Sequence, residues 1–362
     1  MIEKNTKKIL IVDDSALMRR ILCDIITADD DFEVADMASN GEAALELLEK
    51  NHYDAMLLDM VMPRMDGITL LKELNRRHYR IKVIVSSTIA EAEGDITMEA
   101  LSLGAVDFIK KPQGVLDAKG KEFGIQLTEV LRAVLGIRAS SAKAAPEVAK
   151  ADETVKPVNV PSRFGSSRSG WGTVVAIASS TGGPKALQEV IPHLPGNLNA
   201  PVLLVQHMPV GFTASLAERL NSVSELTVQE ASPGIELKKG NVYIAKGGTH
   251  LKLEPSRFAA RIVFGDEPSR EGVKPCANYM YESLASCGYD RVVCVVMTGM
   301  GADGTEGIIH LKESKPIYVI SQNQATCAVY GMPRAIAETG LVSEVVPLSG
   351  IAQAITKNVG VI

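Results

Sequence analysis

"TVVAIASSTGGPKALQEVI", residues 173–191, opens on an apolar, β-branched run, passes two serines and a Thr-Gly-Gly turn, and enters a helix-like stretch. Strand, tight turn and helix in that order form the building unit of a parallel α/β sheet. A serine at such a turn is where many hydrolases keep a nucleophile, because the helix behind it offers free N–H groups and the positive end of its dipole. The G-x-S-x-G spacing is missing here. Gly182 and Gly183 remove side chains after the serines, which would let a substrate carbonyl approach the backbone. The stretch therefore predicts an α/β unit with Ser179 or Ser180 as a candidate nucleophile.

The same alternation extends on both sides. In the second half "APVLLVQH", "GNVYIA", "RVVCVVMTG" and "PIYVIS" read as further strands. "HLKLEPSRFAARIVFGD" reads as a hairpin, so this sheet is expected to be mixed and mostly parallel. In the first half "KILIVDD", "FEVADMA", "AMLLDMV", "KVIVSST" and "AVDFIKK" alternate with five amphipathic segments. Five strands and five helices suit the flavodoxin-like member of the doubly wound class. Between the halves, residues 138–170 are rich in Ala, Ser, Pro and charge without an apolar period, and read as a flexible linker. With 362 residues, two α/β domains are expected: 1–137, and a doubly wound, mostly parallel one over 171–362.

Composition excludes several classes. Aromatics at 4% leave no stacking platform for bases, and a net charge of −5 gives no pull toward nucleic acid. Cys23, Cys276, Cys287, Cys294 and Cys327 form no C-x-x-C pair, which fits a reducing cytosol. No stretch approaches membrane-spanning length and the opening residues lack a signal-peptide core, so a soluble protein without membrane insertion is expected.

Three carboxylates of the first half fall at carboxyl ends of predicted strands: Asp13, Asp14 and Asp59. Such ends line one crevice of an open sheet, and like charges crowded there need a cation. Aspartate oxygens suit Mg²⁺, which favours phosphate chemistry. Lys111 would add a positive charge and Ser86 or Ser87 a hydroxyl. These residues, with "MPRMDG" after Asp59, closely resemble the response-regulator receiver domain over the first 135 residues. The resemblance implies that Asp59 accepts a phosphoryl group from a histidine kinase. It implies that Asp13 and Asp14 hold Mg²⁺ with Asp59, that Lys111 bonds the acyl phosphate, and that Ser86 senses it, with Ser87 as the alternative.

A nucleophilic serine in the second half needs a base, an acid and oxyanion donors. Of the six histidines, His207 alone directly ends a buried-looking strand. "RVVCVVMTGMGADGTEGI" runs from a strand into a Gly-rich loop carrying Asp303, and N–H groups around Met300 are candidate oxyanion donors. "ASSTGG", "QHMPVGFT", "TGMGADG" and "QNQATCAVYGMP" together resemble the catalytic domain of the chemotaxis protein-glutamate methylesterases. That resemblance implies Ser180 as nucleophile, His207 as base, Asp303 as orienting acid, and the Thr181 and Met300 amides as oxyanion donors. It further implies hydrolysis of glutamate γ-methyl esters, and deamidation of selected glutamines, on methyl-accepting chemotaxis receptors. No cofactor is implied for the esterase, and the site of action would be cytoplasmic, at receptor arrays. The order Ser, His, Asp differs from that of the α/β-hydrolases, and Ala178-Ser179-Ser180 departs from the family's usual Gly-Ala-Ser. The rival readings are a DNA-output module, which the acidic charge disfavours, and a general small-ester hydrolase.

Overall fold

The computed structural model describes residues 6–87, 91–112, 121–137, 171–257 and 259–362. The segment read as a linker, 138–170, lies outside the described residues. The first unit contains β1 (Lys7–Val12), α1 (Ala16–Thr27), β2 (Phe32–Ala38), α2 (Gly41–Lys50), β3 (Ala55–Asp59), α3 (Gly67–Arg76), β4 (Lys82–Ser87), α4 (Glu91–Ser102), β5 (Asp107–Lys110) and α5 (Lys121–Leu135). Its strands are parallel and run in the order β2-β1-β3-β4-β5, the flavodoxin-like arrangement. Strand β1 is buried on both faces. Ile9 and Ile11 join the core under α1 and α5, while Leu10 and Val12 join the core under α2, α3 and α4. Ser15, Asn40 and Asp66 cap α1, α2 and α3 by accepting backbone N–H groups of the first turn.

The second unit contains β6 (Thr173–Ser179), α6 (Gly183–Val190), β7 (Val202–Gln206), α7 (Phe212–Val223), β8 (Thr227–Glu230), β9 (Asn241–Ile244), β10 (His250–Ser256), β11 (Ala259–Gly265) and α8 (Ala277–Leu284). It continues through β12 (Arg291–Val296), α9 (Thr305–Ser314), β13 (Ile317–Gln322), α10 (Met332–Glu338), β14 (Glu344–Val346) and α11 (Ile351–Val359). Seven strands form one sheet in the order β14-β13-β12-β6-β7-β9-β8, and every pairing in it is parallel. The expected mixed sheet is corrected here. The hairpin forms, but β10 and β11 pair antiparallel with each other as a separate sheet. Leu251, Leu253, Ala260 and Ile262 pack with Met280 and Tyr281 of α8, so the hairpin buries its apolar face on a helix and does not extend the large sheet.

Chain direction across the large sheet reverses about β6, whose neighbours are β7 on one side and β12 on the other. A crevice therefore opens at the carboxyl ends of these three strands, where ligands of doubly wound sheets sit. The two units touch: α4 packs against α6 and α7, and one apolar cluster runs from Met98, Leu101 and Phe108 into Leu187, Phe212 and Leu216. The Phe108 and Phe212 rings lie 4.7 Å apart between centroids. Among the described residues, no helix is long and apolar enough to cross a membrane.

Candidate active site and phosphoacceptor site

Ser179 is the last residue of β6 and is buried, while Ser180 stands on the turn and is partly exposed. The turn is pinned from both sides. Ser180 N–H donates to the Thr298 carbonyl beyond β12 (3.0 Å), and His207 N–H beyond β7 donates to the Ser179 carbonyl (3.1 Å). Gln206, the register partner of Ser179, completes the clamp. Its Oε1 accepts from the Ser179 hydroxyl (2.7 Å), and its Nε2 donates to the carbonyls of Ser180 (3.0 Å) and His207 (3.1 Å). Ser179 is thus a structural hydroxyl that helps hold the candidate nucleophile's strand against the candidate base's strand.

The two glycines have reasons other than substrate access. Gly182 sits at φ 74°, the left-handed region, and a Cβ there would come within 2.5 Å of Ala328 Cβ. A Cβ on Gly183 would meet Gln206 Oε1 at 2.0 Å. Ala328 belongs to the 'QNQATCAVYGMP' stretch, which buttresses the site. Val329 N–H donates to the Thr298 hydroxyl (3.0 Å), and that hydroxyl donates to the Thr181 carbonyl (3.0 Å). Among the described residues, neither the Thr181 nor the Met300 N–H donates to another backbone or side-chain acceptor.

His207 Nε2 lies 2.7 Å from Asp303 Oδ2. The Nδ1 atom is buried and has no hydrogen-bond partner among the described residues. With Nε2–H donating to the carboxylate, the Nδ1 lone pair is left available to take a proton. Asp303, 2% exposed, also accepts from Ala277 N–H (2.6 Å), Asn278 N–H (2.9 Å) and the Cys276 thiol (3.0 Å). Ala277 and Asn278 begin α8, so the carboxylate takes the free donors and positive end of that helix. Burial would raise the Asp303 carboxyl, but His207 and these donors outweigh it and hold it below the usual carboxylate range. Burial foremost, together with Asp303, pushes the Cys276 thiol up, so it stays a neutral donor. Asn278 Oδ1 accepts from Gly304 N–H (3.0 Å) and Gly307 N–H (2.7 Å), tying α8 to the loop that carries Asp303.

In the first unit Asp13, Asp14 and Asp59 bring carboxylate oxygens within 4.8 Å of one another. Lys111 Nζ lies 2.8 Å from Asp13 Oδ2 and 2.8 Å from Asp59 Oδ2. Burial raises the Asp59 carboxyl despite this ammonium, and the Asp59 and Asp13 charges raise Lys111 against its own burial. Three hard oxygens at the open end of a parallel sheet fit Mg²⁺, which keeps part of its water shell. Ser86 is the register partner of Asp59, and its buried hydroxyl has no hydrogen-bond partner among the described residues. The next residue, Ser87, accepts from the Thr97 hydroxyl of α4 (2.9 Å).

Sequence reasoning placed Ser180, His207, Asp303, Thr181 and Met300 at one crevice, and the strand order brings their backbones together there. It missed Gln206, Thr298, Cys276 and Asn278. Gln206 carried a usable signal, since it immediately precedes the candidate base at a strand end. The other three act through contacts between residues distant in sequence.

Comparison with known proteins adds to this geometry. The CheB methylesterase family model matches residues 175–355, and the response regulator receiver domain model matches residues 9–118. The protein-glutamate methylesterase/protein-glutamine glutaminase 1 of Syntrophomonas wolfei is 40% identical over 351 residues, covering 96% of this chain and 97% of that protein. The corresponding Bacillus subtilis protein is 38% identical over 352 residues, covering 96% and 97%. The crystal structure of the Thermotoga maritima CheB methylesterase catalytic domain superposes with a TM-score of 0.50 at 41% identity, covering 51% of this chain and 98% of that one. The chain belongs to the protein-glutamate methylesterase/protein-glutamine glutaminase family, with a response-regulator receiver domain ahead of its CheB methylesterase domain.

Proposed function

We propose that the chain is a phosphorylation-activated esterase that removes methyl groups from glutamate γ-methyl esters, and ammonia from selected glutamines, on methyl-accepting chemotaxis receptors. The observation that carries this reading is the His207–Asp303 pair, 2.7 Å apart, with the remaining imidazole nitrogen buried and unpartnered at the crevice where the Ser180 turn ends. In the mechanism, the Ser180 hydroxyl attacks the ester carbonyl carbon while His207 Nδ1 takes its proton. Asp303, held ionised by the α8 N-terminus, steadies the imidazolium. The N–H groups of Thr181 and Met300 receive the oxyanion. His207 returns the proton to the leaving group, methanol from the ester or ammonia from the amide, as the C–O or C–N bond breaks. Water, deprotonated by His207, then cleaves the acyl-Ser180 ester.

Control resides in the receiver. Asp59 takes a phosphoryl group from a histidine kinase, and Asp13, Asp14 and Asp59 would hold Mg²⁺, which supplies charge neutralisation for the phosphoryl oxygens. Lys111, already beside Asp59, bonds the acyl phosphate, and the unpartnered Ser86 hydroxyl turns to meet it. Ser86 and Ser87 share β4, and Ser87 holds Thr97 of α4, so a shift at Ser86 passes to the helix that packs on the esterase. The resting receiver covers the crevice and phosphorylation loosens the contact. Receptor substrates place this work at the cytoplasmic side of receptor arrays. Methanol release from a methylated receptor fragment tests the chemistry: Ser180→Ala should abolish it, and full retention would refute the nucleophile assignment.

A further inference from the structure

Cys276 stands at the N-cap of α8, a position that favours a side chain able to accept the helix's first N–H groups. No side-chain hydrogen bond caps the helix from Cys276. The Asp303 carboxylate, carried on the loop between β12 and α9, takes the Ala277 and Asn278 N–H groups in its place. The Cys276 thiol in turn donates to Asp303 Oδ1 at 3.0 Å. An ionised carboxylate offers about four lone-pair sites. Among the described residues each oxygen of Asp303 has two donors: His207 Nε2 (2.7 Å) and Ala277 N–H (2.6 Å) on Oδ2, Asn278 N–H (2.9 Å) and the thiol on Oδ1. Two of these are main-chain groups and one is the base. Cys276 is therefore the donor that a substitution removes without touching the backbone or the base.

Cys276 is itself held in place. His250, the first residue of β10, has its Nε2 3.1 Å from the Glu267 carbonyl and 3.2 Å from the Pro268 carbonyl. Carbonyls only accept, so Nε2 carries the ring proton and Nδ1 accepts the Cys276 N–H (3.2 Å). Burial lowers the imidazole and favours this neutral form. The hairpin that forms a separate layer thus anchors the α8 N-cap. Cys276 and His250 are both 0% exposed, so neither touches substrate.

We propose that Cys276 is a positioning residue of the esterase, whose thiol fills the remaining lone pair of Asp303 and fixes the plane in which the carboxylate meets His207. The proposal rests on the Ser180, His207 and Asp303 reading above and adds to it a side chain that acts only through Asp303. Without the thiol, Oδ1 keeps a single donor and the carboxylate is free to turn about its Cβ–Cγ bond. Oδ2 then no longer holds the imidazole in one orientation, and proton transfer from Ser180 suffers while substrate binding does not.

The test measures methanol release from a methylated receptor fragment by the full chain. Cys276→Ala should lower kcat about ten-fold with little change in KM, the loss of one hydrogen bond to a charged group. Cys276→Ser, whose hydroxyl can donate to the same oxygen, should recover most of the rate. In an Asp303→Asn background Cys276→Ala should cost much less, because a residue acting through Asp303 has little left to position. The wild-type thiol gives a readout that does not depend on the folding of Cys276→Ala. The infrared S–H stretch that disappears in Cys276→Ser should lie below those of the remaining thiols, as expected of a donor to a carboxylate. A wild-type kcat for Cys276→Ala, equal losses in the Ala and Ser variants, or a Cys276 stretch among those of the other thiols would overturn the positioning role. Full activity of Asp303→Asn alone would instead overturn the reading of Asp303 on which it rests.

Discussion

At Asp303 four donors converge on two oxygens: the His207 ring, the Cys276 thiol and the first two N–H groups of α8. This arrangement fixes both the charge of the carboxylate and the orientation of the imidazole. Replacing it by asparagine keeps the shape but removes the charge and reverses one donor. Asp303→Asn is therefore expected to lower kcat for receptor demethylation by about 10³–10⁴-fold with little change in KM. The depressed carboxyl also stabilises the fold. Its contribution is fully present above the unfolded value near about 3.9 and is lost as pH falls through the lower native value. Acid unfolding of wild type should show that loss, and Asp303→Asn should not. Ser180, His207 and Asp303 were legible because each follows a recognisable buried strand. Gln206 was not, because a glutamine at a strand end has no pattern that distinguishes a clamp from a solvated side chain until its partner strand is known.

On the scale of elements, β4 shows how a period of two assigns function. Ser86 and Ser87 are consecutive, so their side chains point to opposite faces of the sheet, one beside Asp59 and the other toward Thr97 of α4. Ser86→Ala is expected to keep phosphorylation on Asp59 but lose most of the increase in esterase rate. Ser87→Ala should keep a clear increase, and the reverse pattern in paired assays with acetyl phosphate would move the switch to Ser87. The main strands were legible from their β-branched apolar runs. Edge strands β8 and β14 were not, because four and three residues carry too little pattern. The hairpin was recognised, but its placement as a separate layer depends on α8, whose apolar face the local sequence cannot match to a partner.

The whole molecule joins two doubly wound sheets whose functional edges differ. The proposed phosphoacceptor, Asp59, lies at the carboxyl end of the receiver sheet, while the contact with the esterase is made by α4 and Phe108 of β5. In the proposed gating a signal crosses the receiver and loosens the apolar seam of Phe108 and Phe212. Both sheets, and the residues proposed for both chemistries, could be picked out from strand ends. The seam could not, since Phe108 sits in an ordinary Phe-Ile-Lys run and meets Phe212 more than a hundred positions away. The most direct measurement of phosphorylation-gated hydrolysis compares methanol release from a methylated receptor fragment by wild type and Asp59→Asn, with and without acetyl phosphate. The account predicts that acetyl phosphate accelerates wild type while Asp59→Asn stays at the basal rate in both conditions. Equal acceleration of both proteins, or loss of basal hydrolysis in a folded Asp59→Asn, would contradict it.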